Sequence, residues 1–544
     1  MKRSIGAALL SLLAPLSTSG PAAAASDEHV WSYAGELAGA TGVLWARCNR
    51  AAPARMGVEL WQANDASGEG PPPTKRELQG PRVDDSTDFT GSMRLGGFEP
   101  DTHYRYRVTC TPESAKADPG KVEARSAPDE ATRNPEEPDR GLEGGFRTPP
   151  LDGEPSQVSF VWLADIAGQG WGRNPDFTLT DASGELIQGG FATFDVIRGL
   201  APHFAVLAGD TVYADNPVPA AQTIPPEVGG GTWRNDPTRD FVAITLEDYR
   251  ASWRYNLGDS RLRAFLLETP VLALWDDHEV ADNWYPGEIL VRPPYNGVSA
   301  NLLAKRARQA LHEYVPIRGA EMYRRFRYGS HLELFLLDVR SFRGPNSENF
   351  APAGIEMLGA KQFRWLTQGL KSSNATWKIV VSPDPLSLVT GGSEDRDSWS
   401  QGDPRILGRE VQLRRLLGYI TREKVDNVVF LSADVHFAAA IDYDPANAPN
   451  PVAIAPFWEF VSGPVHAGAF GAADLDASFG PHFDWLRAPS SEGLPQNLPP
   501  PNLQSFGAVD VNAAGVLTVR LHDASGAVLY EKRLEPSSAP PESE

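Results

Sequence analysis

The sequence predicts an α/β layered domain preceded by a smaller β-sandwich, and three observations carry that prediction. At 544 residues the chain exceeds what one ordinary core holds, which points to two domains of unequal size. Residues 26–150 contain segments that alternate apolar and polar positions with the two-residue period of half-buried strands. From 151 to 536 short apolar runs take over, separated by segments of helical period, as expected for buried strands layered with helices.

The first 25 residues read as a secretory signal. Lys2 and Arg3 form a basic start, Ile5 to Leu16 a largely apolar stretch, and Ala22 to Ala25 small residues suited to cleavage. In the following module, Gly42 to Cys48 and Val58 to Trp61 read as strands. Tyr104, Tyr106 and Val108 fall on one face of a third, after a turn at Pro100-Asp101-Thr102. This turn and strand resemble the tyrosine corner of a fibronectin type III or related immunoglobulin-like sandwich. A Pro-rich polar insertion over about 112–143 is expected to be a mobile loop, and Gly145 to Pro150 closes the module. The cysteines Cys48 and Cys110 fit either a disulfide or two buried thiols, and an oxidising compartment favours the bond.

In the larger domain the strand candidates are Val158–Leu163, Phe204–Ala208, Val271–Trp275, Leu332–Leu337, Ile379–Val381 and Val428–Leu431. Helices are expected around 246–268, 299–314, 359–371 and 409–424. On the second of these, Leu303, Ala307, Ala310 and Tyr314 make an apolar stripe. Residues 504–535 return to alternation and predict a hairpin, and 537–544 should be disordered. The formal charge of −20 argues against gripping nucleic acid or anionic lipid. No stretch after the N-terminal segment approaches the ~20 apolar residues of a membrane span. The mature chain is expected to be secreted or periplasmic, and to act as a monomer on a small substrate.

The chemistry lies just past the strand ends. One run ends in Asp165, and the next in Gly209-Asp210-Thr211-Val212-Tyr213-Ala214-Asp215. A third ends in Asp276-Asp277-His278-Glu279, and a fourth in Asp434-Val435-His436. The carboxyl rim of an open α/β sheet is where ligands bind. Each motif alone has a plain reading as a helix cap or a core residue. Together they crowd carboxylates that bound cations would neutralise. Hard oxygen donors with imidazole suit Fe, Mn, Zn or Ca, and a phenolate at Tyr213 favours Fe³⁺. Asp434 and His436 share a face of an extended segment. Gly168, Gly170 and Gly172 are expected to let backbone approach a ligand. A metal pair at such a rim accounts for phosphoric-ester hydrolysis.

These motifs resemble the calcineurin-like metallophosphoesterases, most closely the alkaline phosphatase D family. Trp275-Asp276-Asp277-His278-Glu279 is the most specific match. Leu337-Asp338-Val339-Arg340-Ser341-Phe342-Arg343 and Phe457 to Pro464 are further ones. The resemblance implies two packed sheets flanked by helices in the catalytic domain. It makes Asp210 a bridging metal ligand, Tyr213 the Fe³⁺ ligand, and Asp434 and His436 further ligands. Asp277 takes a ligand position and also forms a catalytic acid–imidazole pair with His278, which contacts phosphate as a candidate general acid, and Arg340 clamps a phosphate oxygen. Asn283 is an additional oxygen donor. Asp165 stands where this family usually has cysteine, so Fe³⁺ with Ca²⁺ is joined by Mn²⁺ or Zn²⁺ as alternatives. A motif that normally supplies histidine reads Val380-Val381-Ser382-Pro383-Asp384-Pro385, which leaves Asp384 as the substitute. Lys2-Arg3 is a near match to a twin-arginine signal, so both export routes stay open.

The reading is an exported metal-dependent phosphomonoesterase or phosphodiesterase that scavenges phosphate. A phospholipase-D-like diesterase is one alternative. A non-catalytic exported metal-containing binding protein is the other. Residues 1–25, 26–150, 151–536 and 537–544 are the expected signal, sandwich, catalytic domain and tail.

Overall fold

A computed structural model describes residues 29–49, 52–63, 74–113, 141–489 and 493–537. The expected export signal, all but the ends of the 112–143 insertion and all but the first residue of the 537–544 tail lie outside the described residues.

A nine-stranded sheet and a seven-stranded sheet pack face to face. The centre of the larger sheet is three parallel strands, Val158–Leu163, Phe204–Ala208 and Val271–Leu274. The core of the second is four parallel strands, Leu332–Leu336, Trp377–Val381, Val428–Ser432 and Phe457–Val461. The continuous apolar runs follow from burial on both faces. Phe160 and Trp162 point into the layer between the sheets, where they meet Leu334, Ile379 and Leu431. Val161 and Leu163, one residue out of phase, face the helices. Trp162 also crosses the layer and donates its indole N–H to the Ser432 carbonyl at 3.2 Å.

Helices cover both outer faces. Helices α1 (Thr193–Gly199), α2 (Leu246–Leu257), α3 (Ser260–Glu268) and α4 (Ala300–Tyr314) lie on the larger sheet. Helices α5 (Gly359–Ser372) and α6 (Glu410–Arg422) lie on the second. The predicted stripe on α4 is buried as expected. The single helix expected over 246–268 is two. Asp259 turns its side chain onto the backbone N–H groups of Arg261 and Leu262, and so starts a new helix. The short α1 is absent from the sequence-based expectation.

The N-terminal region does form a sandwich, but its two sheets differ in their connections. Ala54–Gln62, Arg76–Val83, His103–Pro112 and Leu142–Arg147 make a separate four-stranded sheet. Val30–Ala38, Thr41–Cys48 and Thr90–Gly96 instead continue the nine-stranded sheet, where Val30–Ala38 lies parallel to Val271–Leu274. A Cys48–Cys110 disulfide joins the two sheets, with Cα atoms 5.8 Å apart. Tyr104, Tyr106 and Val108 are buried on one face, and the Glu99 backbone N–H donates to the Tyr104 hydroxyl. The C-terminal hairpin is a three-stranded unit: Ser505–Val511, Leu517–Asp523 and Val528–Leu534. Its first strand pairs antiparallel with Val158–Leu163 and is nearly all buried.

Candidate metal centre

In-register pairing brings the strand ends together. Leu163 lies beside Leu207, and Ala208 beside Leu274, so the residues just beyond them emerge at one rim. The chain turns sharply there. Asp165, Asp210, Asp434 and His436 all adopt left-handed backbone (φ 64°, 48°, 68° and 59°). That conformation is uncommon for residues with a side chain, and it clusters at functional sites. Gly209 has φ 104°, and a Cβ there would lie 2.6 Å from Asp276 Cβ. Only glycine lets the two rim segments approach so closely.

Three groups of donor atoms lie within 4.8 Å of one another: Asp165, Asp210 and His436; Asp210, Asp277 and His278; and Asp210, Asp276, Asp277 and Asp434. Asp210 belongs to all three. Its Oδ1 accepts from the His278 backbone N–H at 3.1 Å, while its buried Oδ2 has no hydrogen-bond partner. Asp165 Oδ2 is likewise buried and unpaired, and Oδ1 accepts from the Tyr213 hydroxyl at 3.2 Å. The same hydroxyl lies 2.7 Å from His436 Nε2.

His436 shows how such a site prepares a ligand. Its Nδ1 lies 2.5 Å from the Gly468 carbonyl, so Nδ1 carries the proton and donates. Nε2 is then left with a lone pair toward Tyr213 and Asp165. Burial lowers the His436 pKa to about 4, which keeps the ring neutral. Burial raises Asp165 to about 8, and it pushes Asp210 and Asp434 well above the usual carboxylate range, with neighbouring acids adding to it. Burial and the same acids also push the Tyr213 phenol well up. A cluster that resists ionisation by itself, with two orphaned carboxylate oxygens, a neutral imidazole and a phenol, fits bound cations.

His278 extends this centre into a cleft of about 710 Å³, which is also lined by Asp215, Asp277, Asn283, Asp434 and His436. Its Nδ1 meets Asp215 Oδ1 at 2.7 Å, and its ring lies 4.2 Å from that of Tyr213. Burial opposes its charge, but Asp215, Asp277 and Asp210 outweigh burial and hold its pKa well above the ordinary value. Asn283 lies at the cleft wall, where its backbone N–H donates to Asp277 Oδ2 at 2.7 Å. The loops at 214–245 and 285–300 reach the cleft, through residues such as Val242, Arg292 and Tyr295.

Four expectations need correction. Asp434 and His436 sit in a turn of left-handed backbone, not on one face of an extended segment. Arg340 is fully buried, with Nε, Nη1 and Nη2 committed to Asp276, Asp397 and Asp384 at 2.5, 2.9 and 2.8 Å. It therefore braces the carboxylates from behind and has no nitrogen left to clamp a phosphate. Asp384 accepts from Arg340 and Arg343, so it serves this brace rather than replacing a motif histidine. The glycines of 168–172 make room for protein side chains. A Cβ at Gly168 would lie 2.7 Å from the Tyr213 ring, and one at Gly172 would collide with the Tyr255 hydroxyl.

Sequence reasoning missed Asp215, Asp276 and Glu279, although all three stand inside the strand-end motifs. Glu279 is buried and accepts backbone N–H groups from Asp210, Thr211 and Asp276 at 3.1, 2.6 and 2.8 Å. It stitches two rim turns together. A carboxylate whose task is to hold backbone carries no signal that separates it from a ligand.

A family model for PhoD-like phosphatases matches residues 160–520. Alkaline phosphatase D of Bacillus subtilis (strain 168) is 30% identical over 263 residues, which are 43% of this chain and 42% of the relative. The match thus spans about two fifths of that relative's length. Among solved structures, one titled "Structure of PhoD" superposes with a TM-score of 0.64 at 18% identity, covering 93% of this chain and 92% of that one. A purple acid phosphatase from yellow lupin seeds superposes with 0.51 at 13% identity, covering 92% and 73%. These structures share the fold. The family model covers well over half of the sequence and contains every one of the rim motifs, and the chain belongs to the PhoD-like phosphatase family.

Proposed function

We propose that this protein is a metal-dependent phosphoric-ester hydrolase that works outside the cytoplasm to release phosphate. The observation that carries the reading is the sharing of Asp210 among three convergent donor groups at the base of an open cleft. Asp165, Asp210, Tyr213 and His436 form a mixed oxygen and nitrogen set suited to Fe³⁺. Asp210, Asp277 and Asp434, with Asn283 nearby, offer oxygen alone, which suits Ca²⁺, with Mn²⁺ or Zn²⁺ as alternatives. Such a pair supplies, when bound, Lewis-acid polarisation of phosphoryl oxygens and acidification of water.

The chain's own residues complete the chemistry. The Asp215 carboxylate accepts a hydrogen bond from His278 Nδ1–H, which fixes the ring and turns Nε2 toward the cleft. A charged His278 can then donate a hydrogen bond to the phosphoryl group or a proton to the leaving oxygen. Asp277 lies 4.0 Å from Nε2 and supports that charge. Arg340 and Glu279 hold the carboxylates and turns in place.

Export is supported by the N-terminal sequence and by the disulfide. No helix among the described residues is long and apolar enough to cross a membrane. The test is hydrolysis of p-nitrophenyl and bis-p-nitrophenyl phosphate before and after chelation, with a visible spectrum of wild type and Tyr213→Phe. Chelator-sensitive turnover and a charge-transfer band lost in the variant are expected. Absence of both from a metal-replete preparation would return the chain to the binding-protein reading.

A further inference from the structure

The cleft that holds the metal-ligand cluster contains one cation whose role the hydrolase reading leaves open. Among its described lining residues Arg292 is the single Lys or Arg, set against the carboxylates of Asp215, Asp277, Asp282 and Asp434. Arg292 lies in the loop over the rim. Its Nη1 donates to Asp282 Oδ2 at 2.9 Å and its Nη2 to the Asp282 carbonyl at 3.0 Å. The guanidinium carbon sits 5.9 Å from the centre of the Tyr295 ring. Tyr295 lines the same wall, and its buried hydroxyl has no hydrogen-bond partner.

Exposure grades outward along this wall. The side chain of Asp277 is 3% exposed and that of His278 12%, whereas Arg292 and Asp282 are 45% and 44% exposed. The hydrogen bonds grade the same way. His278 bonds Asp215, Asp215 Oδ2 accepts the Asp282 backbone N–H at 2.6 Å, and Asp282 holds Arg292. Arg292 is therefore separated from His278, the residue at the foot of the cleft, by two intervening residues. A half-exposed ion pair contributes little to stability, so an incoming oxyanion can displace Asp282 at small cost. A planar guanidinium matches the two oxygens of a carboxylate or phosphate.

We propose that Arg292 is a specificity-determining residue that binds a second anionic group, carried on the leaving-group side of the ester. The preferred substrates are then phosphoesters whose leaving group bears its own carboxylate or phosphate. This inference rests on the hydrolase reading, and the experiment separates the two.

The metal-loaded full chain and its Arg292→Gln variant are assayed on phenyl phosphate and on 4-carboxyphenyl phosphate, which differ only by a carboxylate on the leaving group. The variant is expected to raise KM for the carboxylated ester about tenfold, with kcat changed less than about threefold. KM for phenyl phosphate should change less than about twofold. An equal rise for both esters would overturn the leaving-group assignment, because Arg292 would then grip the phosphoryl group itself. No change for either ester would overturn Arg292 as an anion anchor. Wild type inactive on both, with metals bound, would instead defeat the hydrolase reading.

Discussion

His278 lies between Asp215 on one ring nitrogen and Asp277, one of the candidate ligand carboxylates, on the other side. Asp215→Asn keeps the shape and removes the charge that orients His278 and favours its protonated form. We expect kcat to fall about 10–100-fold with bound metal unchanged, the scale seen when the residue orienting an active-site group is altered. Equal loss of metal in that variant would make Asp215 a metal-site residue instead. Arg340 makes the opposite case, a conspicuous cation with no access to substrate. Arg340→Met leaves Asp276, Asp384 and Asp397 buried without their main counter-charge. It should cost about 3–5 kcal/mol in chemical denaturation. Retained stability with a raised KM would restore the phosphate-clamp role.

At the scale of elements, the disulfide joins the nine-stranded sheet to the separate four-stranded one. Its ends are 62 residues apart, so constraint of the unfolded chain alone is worth about 4 kcal/mol. Cys48→Ala with Cys110→Ala should lower the denaturation midpoint accordingly, while rim activity at moderate temperature is kept. Simultaneous loss of activity would mean that the sandwich positions the rim. Elements were legible where burial imposed an unbroken apolar run. Val158–Leu163 and Phe204–Ala208 agree with the sequence at both ends. The split between α2 and α3 did leave a mark, a glycine stop at Gly258 followed by the favoured N-cap Asp259, but the apolar pattern runs on through it and hid the break. The joining of Val30–Ala38 to Val271–Leu274 was hidden as well. Pairing between strands more than two hundred residues apart leaves no local mark.

In the whole molecule, two sheets deliver their strand ends to one rim, and the arginine brace behind it holds together carboxylates that would otherwise repel. The residues that face the rim were readable because each ends an apolar run. Their supporting partners, Asp215 and Glu279, were not, since charge and spacing look alike for ligand and support. On the proposed function, two metals would share Asp210 and both would serve hydrolysis. Metal content and p-nitrophenyl phosphate hydrolysis, measured on the same preparations of wild type and Asp210→Asn, decide this. Wild type should hold two metals and turn over. The folded variant should lose at least one metal, with kcat lower by about a thousandfold or more. A folded variant that keeps both its metals and its rate would show that Asp210 is not shared in this way.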